Sequence, residues 1–299
     1  MPNIAIVWDF DGTLTPIDST TFVVEAIQGK RTGGDFWKYI HSLKGDKSSK
    51  EDWEHVLAMD APIWMYSLSR IAFEKGIPLN TDFFQQLLRD SPINLYRGVE
   101  IFLNTIKEMQ NAKAFKNADL KIHHFIVSAG LKELIEQVLP QNLITWTFGC
   151  RYKAIISNVG EKPENVPVFC VDETAKTRSL FEISKGVFET KDRHVNKKTN
   201  KDELWVPFDN IIYVGDGDTD IPALSLTRSK GGMGIVLLNP QKTAEENKAK
   251  MKKMNLNLRA DLITFADYAL DGELFKFIQE RCHQILQRYE AESLEKVTS

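Results

Sequence analysis

Two rhythms of apolar residues alternate along the chain. Ile4-Ala5-Ile6-Val7-Trp8 is a short unbroken apolar run, partly β-branched, and predicts a strand over residues 4–9 buried on both faces. Ile122–Val127, Ile211–Val214 and Gly234–Leu238 repeat the pattern, and Tyr268-Ala269-Leu270 reads as a short fifth strand. Between them the spacing becomes helical. Val99, Phe102, Leu103 and Ile106 share one side of a helix, and Leu131–Val138, Thr174–Ser184, Gln241–Leu258 and Glu273–Glu295 predict four more. Ile144–Ile156 and Val166–Val171 are β-rich and flank Gly160-Glu161-Lys162-Pro163, which predicts a hairpin. Asn111–Leu120 and Lys191–Lys201 read as polar connections, the second strongly basic and best taken as a solvated loop.

From about Asp18 to Leu95 no strand pattern occurs. Phe36, Tyr39, Ile40 and Leu43 follow helical spacing, as do Trp53, Val56 and Leu57. Ile63–Phe73 is a longer apolar helix stopped by Gly76-Ile77-Pro78, and Thr81-Asp82-Phe83-Phe84 starts another. Trp37, Trp53, Trp64 and Tyr66 are expected to form the packing of this block. Strands separated by helices imply an α/β fold, a Rossmann-like, doubly wound and mostly parallel sheet. The expected division is a discontinuous core of residues 1–16 and 96–299, with an all-helical domain over 17–95 inserted after the first strand.

Composition narrows the classes. Over 299 residues, 38 basic and 41 acidic side chains give a formal charge of −3, which makes no case for nucleic-acid or membrane-surface binding. No apolar stretch approaches the roughly 20 residues that span a bilayer. Cys150, Cys170 and Cys282 are widely spaced and form no CxxC pair, so neither a disulfide frame nor a zinc site is expected. The N-terminal apolar run has no basic flank and ends in acids, unlike a signal peptide, so a cytoplasmic setting is the expectation.

Candidate chemistry gathers at strand ends. The first strand runs into Asp9-Phe10-Asp11-Gly12-Thr13, two carboxylates two positions apart. Packing gives no reason for an apolar strand to end in two acids, whereas open α/β sheets bind ligands outside the carboxyl ends of their strands. Phe125-Ile126-Val127 ends in Ser128-Ala129-Gly130, and Ile211–Val214 ends in Gly215-Asp216-Gly217-Asp218-Thr219-Asp220. Taken singly, each has a plainer reading. The acids would be helix caps or a calcium loop, though the EF-hand spacing is lacking. Ser128 alone would be a turn residue. His123 and His124 read as strand residues without a catalytic part.

In series, these motifs resemble the haloacid dehalogenase-like hydrolase superfamily, in its phosphatase branch, with a layout similar to the phosphoserine-phosphatase-like group. Asp9-Phe10-Asp11-Gly12-Thr13 matches the first motif, Ser128 the second, a lysine the third and Gly215–Asp220 the fourth, and the 17–95 block resembles the family's helical cap. The resemblance implies a Mg²⁺-dependent phosphatase of a small phosphomonoester. Its metal would be held by Asp9, Asp216 and the backbone carbonyl of Asp11, with Asp220 as ligand or as partner to a ligand. Such an ion removes the repulsion between a dianionic phosphate and an anionic nucleophile. Asp9 would become an aspartyl phosphate, and Asp11 would act as acid and then base. Thr13, Ser128 and the amides of Ala129 and Gly130 are placed against the phosphate, the last three at an expected helix N-terminus.

Lys176 is preferred over Lys185 as the motif lysine. It sits near a helix start, where the dipole disfavours a cation unless an anion faces it. Asp18 is either a cap-entry acid near the substrate or a helix cap. Three alternatives stay open: a phosphomutase, a dehalogenase, which would need neither Mg²⁺ nor the acid at Asp11, and a silent binding protein. Oligomeric state and the identity of the phosphorylated metabolite are not legible in the sequence.

Overall fold

The computed structural model describes residues 2–43, 60–156, 160–188, 195–253, 255 and 259–298. Seven strands form one sheet: β1 (Asn3–Trp8), β2 (Lys121–Leu131), β3 (Ile144–Ile155), β4 (Glu164–Phe169), β5 (Ile211–Gly215), β6 (Met233–Leu238) and β7 (Leu262–Phe265). Their order is β4-β3-β2-β1-β5-β6-β7, parallel throughout except for the antiparallel β3–β4 pair. The fold is therefore α/β, Rossmann-like and mostly parallel.

β1 is central because both of its faces are covered. Residue alternation along a strand sends Ile4, Ile6 and Trp8 one way and Ala5 and Val7 the other. The first set packs with Phe102, Leu103 and Ile106 of the helix Val99–Glu108 and with Leu274, Ile278 and Ile285 of the helix Glu273–Thr298. The second packs with Leu180 and Ile183 of the helix Glu173–Lys185 and with Ala223 and Leu224 of the helix Ile221–Ser229. Trp8 Nε1 donates to His124 Nδ1 at 3.1 Å, and His124 Nε2 lies 2.9 Å from the Leu103 carbonyl oxygen. The strand histidine is thus a satisfied core residue, and burial lowers its pKa to about 4.

Among the described residues, 18–95 hold the helices Ser19–Gln28, Gly33–Ser42, Asp60–Lys75 and Thr81–Asp90 and no strand. Asp18 caps the first by accepting from Thr21 N, and Asn80 caps the last by accepting from Phe83 N. Val23, Phe36, Ile40, Trp64, Met65, Leu68 and Phe84 form their apolar centre, joined by Leu134, Cys150 and Tyr152 from the sheet end. The β3–β4 hairpin reaches over this block. Tyr152 OH donates to Met65 O, Asn165 Nδ2 donates to Ile77 O at 2.9 Å, and Leu79 N donates to Asn165 Oδ1 at 2.7 Å.

Several expectations change. The last strand is Leu262–Phe265, not Tyr268–Leu270. Tyr268 is apolar-packed because its ring lies against Phe102 and its hydroxyl donates to Thr13 O at 2.6 Å. The stretch expected as loop 111–120 contains a short helix, Lys113–Asn117, pinned by Phe115 in the core. The helix expected from Gln241 begins at Ala244, because Thr243 and Glu246 form a reciprocal capping pair. Tyr66 is 63% exposed and not part of the packing, whereas Trp64 is buried. Trp53 lies outside the described residues.

Candidate active site

The strand order reverses around β1, whose neighbours are β2 on one side and β5 on the other, with the chain leaving in opposite senses. That switch point opens a crevice at the carboxyl ends of the strands. Asp9 is the first residue beyond β1, held there by its backbone N–H donating to Val214 O at 2.9 Å. The motif residues from β5 stand next to it for the same reason.

Lys176 lies between two of the acids. Its Nζ is 2.7 Å from Asp220 Oδ1 and 3.1 Å from Asp9 Oδ1, and its side chain is 1% exposed. It belongs to the first turns of the helix Glu173–Lys185, capped by Asp172 accepting from Ala175 N. Burial lowers the pKa of the ammonium, but Asp220 and Asp9 more than reverse this and leave it above its usual value. Lys185 is elsewhere, donating to the carbonyls of Val195 and Lys197.

Asp220 is fully enclosed. Oδ1 also accepts from Tyr213 OH at 2.6 Å, and Oδ2 accepts from the backbone N–H groups of Asp216 and Gly217 at 3.1 and 2.9 Å. Four donors to one carboxylate make it a fixed anchor for the β5 turn. Tyr213 faces the second side of the sheet, and the sequence offered no signal for it beyond an apolar strand. Asp216 Oδ2 lies 2.8 Å from Lys250 Nζ on the helix Ala244–Lys253, a contact no motif pointed to.

Carboxylate oxygens of Asp9, Asp216 and Asp220 lie within 4.8 Å of one another. Burial and the neighbouring Asp220 raise the pKa of Asp9 to about 7, against the pull of Lys176. Asp216 is raised too, first by burial, with Lys250 opposing. A buried cluster of hard carboxylate oxygens from three acids suits a divalent cation. Two further observations fit that group. Asp9 Oδ1 is buried and accepts no directed hydrogen bond. Gly12, at φ +73°, faces Asp216 so closely that a Cβ would stand 2.5 Å from its Oδ2.

Asp11 is placed differently from the other three. Its side chain is not in the cluster, and both oxygens accept from Ser19: Oδ1 from the backbone N–H at 3.1 Å, Oδ2 from Oγ at 2.8 Å. Burial raises its pKa well above the usual range, aided by Asp18 and Asp9 and opposed by Ser19. Ser19 was missed in the sequence, where it reads only as the residue after a helix cap. Gly130 lies alongside, since a Cβ there would meet Ser19 Oγ at 2.7 Å.

Ser128, Ala129 and Gly130 fall at the end of β2, not at a helix N-terminus. The helix begins at Lys132 with Leu131 before it, and Gly130 N already donates to Ser128 Oγ at 3.0 Å. The cause is strand propagation, since the extended backbone continues three residues past Ser128. Thr13 is buried with no hydrogen-bond partner for Oγ1. Tyr96 OH is likewise buried without a hydrogen-bond partner, its ring stacked on Tyr268 at 6.2 Å.

An uncharacterized protein of Borreliella burgdorferi is 23% identical over 93% of this chain and 96% of its own length. Among solved structures, substrate-bound phosphoserine phosphatase matches with a TM-score of 0.52 at 19% identity, covering 92% of this chain and 98% of that one. Cytosolic 5′-nucleotidase IIIB bound to cytidine matches with a TM-score of 0.52 at 16% identity, covering 94% and 87%. These likenesses establish a shared fold. The family model for haloacid dehalogenase-like hydrolases matches residues 5–226, a span that takes in every acid of the cluster, and the chain belongs to that family of hydrolases.

Proposed function

We propose that this hydrolase is a Mg²⁺-dependent phosphatase of a small phosphomonoester, acting through an aspartyl phosphate on Asp9. The observation that carries the reading is the position of Asp9, buried at a strand end beside Lys176, Asp216 and Asp220. The names of the fold neighbours, phosphoserine phosphatase and 5′-nucleotidase, support a small phosphorylated substrate.

Asp9, Asp216 and the backbone carbonyl of Asp11 would hold the ion, with Asp220 beside them. When bound, Mg²⁺ shields the phosphate charge and orients it for attack. The chain's own groups do the rest. An oxygen of Asp9 attacks phosphorus, and the leaving alkoxide departs with a proton from Asp11. Asp11 then takes a proton from the water that hydrolyses the acyl phosphate. Its hydrogen bonds to Ser19 hold the carboxyl off the acidic cluster and on the side of the helical block. Lys176 offsets the negative charge that builds on Asp9 and the phosphate. Thr13, Ser128 and the amide of Ala129 contact the phosphate oxygens, Gly130 giving them close approach. Residues 17–95 serve as the cap, closing over the site and supplying leaving-group contacts.

A phosphomonoester panel assayed with and without Mg²⁺ tests this. Inorganic phosphate release that depends on Mg²⁺ is expected for at least one small substrate. Asp9→Asn should lower turnover about a thousand-fold or more while leaving the melting profile near native. Near-native activity in that variant would remove Asp9 as nucleophile. Transfer of phosphate to a second substrate molecule, in place of its release, would make the protein a mutase.

A further inference from the structure

Cys150 and Cys170 take no part in the chemistry above, yet the fold brings them together. β3 and β4 pair antiparallel and their ladder ends at Arg151 opposite Phe169, with Cys150 and Cys170 the next residue on either side. Directly opposed residues in such a pair have Cα atoms about 4.5–5.5 Å apart. This lies inside the roughly 4.4–6.8 Å span of disulfides. The backbone N–H of Val171, the residue after Cys170, donates to Cys150 Sγ at 3.2 Å. The two thiols also contact each other. That contact and burial hold the Cys150 thiol up, while the same contact lowers the Cys170 thiol against burial and Asp172.

The two residues differ in access. Cys150 is buried and Cys170 only partly so. A partly exposed cysteine with a buried one beside it is the arrangement of an attacking and a resolving cysteine. Cys282 provides an internal contrast: it is buried in the core on one face of the sheet, where burial pushes its pKa up to about 12.

We propose that Cys150 and Cys170 form a modification site that reacts with hydroperoxides and closes to a cross-strand disulfide. The Cys170 thiolate attacks one peroxide oxygen and the O–O bond breaks. With a proton, the leaving oxygen departs as water or alcohol, and Cys170 becomes a sulfenic acid. Cys150 sulfur then attacks the sulfenic sulfur, and the displaced hydroxide leaves as water with the Cys150 proton. Two thiols and one hydroperoxide give one disulfide, one water and one water or alcohol, the peroxide being reduced. The cross-link would tie the root of the β3–β4 hairpin, which clasps the helical block, to the strand leading into Asp172 and the helix that holds Lys176.

The test treats the full-length reduced protein with hydrogen peroxide, then unfolds it, alkylates the remaining thiols and maps peptides by mass. A Cys150–Cys170 cross-linked peptide is expected, two hydrogens lighter than its parts and reversed by dithiothreitol, with Cys282 still alkylated. Cys170→Ser should abolish the cross-link and leave Cys150 alkylatable. Cys150→Ala should leave Cys170 as a sulfenic acid trapped by a carbon nucleophile. Because Cys150 is buried and its variant can misfold, Cys170→Ser decides the matter alone. Native protein with all three cysteines still alkylatable would overturn the proposal, as would Cys170 passing to sulfinic acid while Cys150 stays free. The readout is mass, so its failure is distinct from failure of the phosphatase reading.

Discussion

Replacing Lys176 with methionine keeps an unbranched apolar stem and removes the terminal ammonium with its charge and donors. In the native protein the ammonium lies 2.7 Å from Asp220 and 3.1 Å from Asp9, and those carboxylates are 0% and 8% exposed. Without it, two buried acids face each other with no cation between them. Removing one partner from a buried ion pair costs about 3–5 kcal/mol, because the remaining charge is uncompensated. Asp220 keeps its bonds from Tyr213, Asp216 and Gly217, which places the cost toward the lower end of that range. Lys38 offers a surface contrast, since it pairs with Asp35 at 3.4 Å with both side chains more than 80% exposed. Lys38→Met should therefore change stability by less than about 1 kcal/mol. Guanidinium unfolding in chelator, with the slope unchanged, measures both. The double variant Lys176→Met with Asp220→Asn should lose less than the two single losses added together, by roughly 1–3 kcal/mol. If Lys176→Met costs no more than Lys38→Met, the buried pair is not what holds these acids together.

Added Mg²⁺ should raise the melting temperature of the native protein in proportion to the logarithm of its concentration, and Asp216→Asn should abolish that rise, as read by differential scanning fluorimetry. Gly12→Ala should destabilise by more than about 1 kcal/mol and blunt the Mg²⁺ response, because a Cβ at φ +73° would stand 2.5 Å from Asp216. A variant with a normal Mg²⁺ response would show that this contact relaxes freely. His124 predicts a pH dependence: burial lowers its pKa from 6.5 to about 4, so the unfolded chain binds the extra proton between those values. Its contribution is present above pH 6.5 and is lost as the pH falls toward 4, by up to roughly 3 kcal/mol. Urea titrations should show a shallower acid limb for His124→Gln than for the native chain, and identical limbs would refute the assignment.

The fold class and the acids were legible because both are written in local pattern. An apolar run that ends in Asp9 and Asp11 can be read without knowing its neighbours, and so can Gly215–Asp220 after another such run. Lys176 was legible for a related reason, since a cation near a helix start calls for an anion. Where local pattern failed, a second segment had taken over. Tyr268-Ala269-Leu270 looks like a strand, but Tyr268 is apolar-packed by Trp8 and Phe102 and bonded to Thr13, so the strand lies upstream at Leu262–Phe265.

From the sequence alone came the order of the strands along the chain, the helical character of the described residues within 18–95 and the identity of the clustered acids. Only the tertiary structure decided that Tyr213 anchors Asp220, that Ser19 holds Asp11, that Lys250 reaches Asp216, and that two cysteines without a shared motif meet where the β3–β4 ladder ends. The physical reason is range. Hydrophobic periodicity and caps act within a few residues and leave their mark in neighbouring letters. Pairings such as that of Lys176 with Asp220 join residues 44 positions apart, and what brings them together is the burial of both faces of the sheet between them.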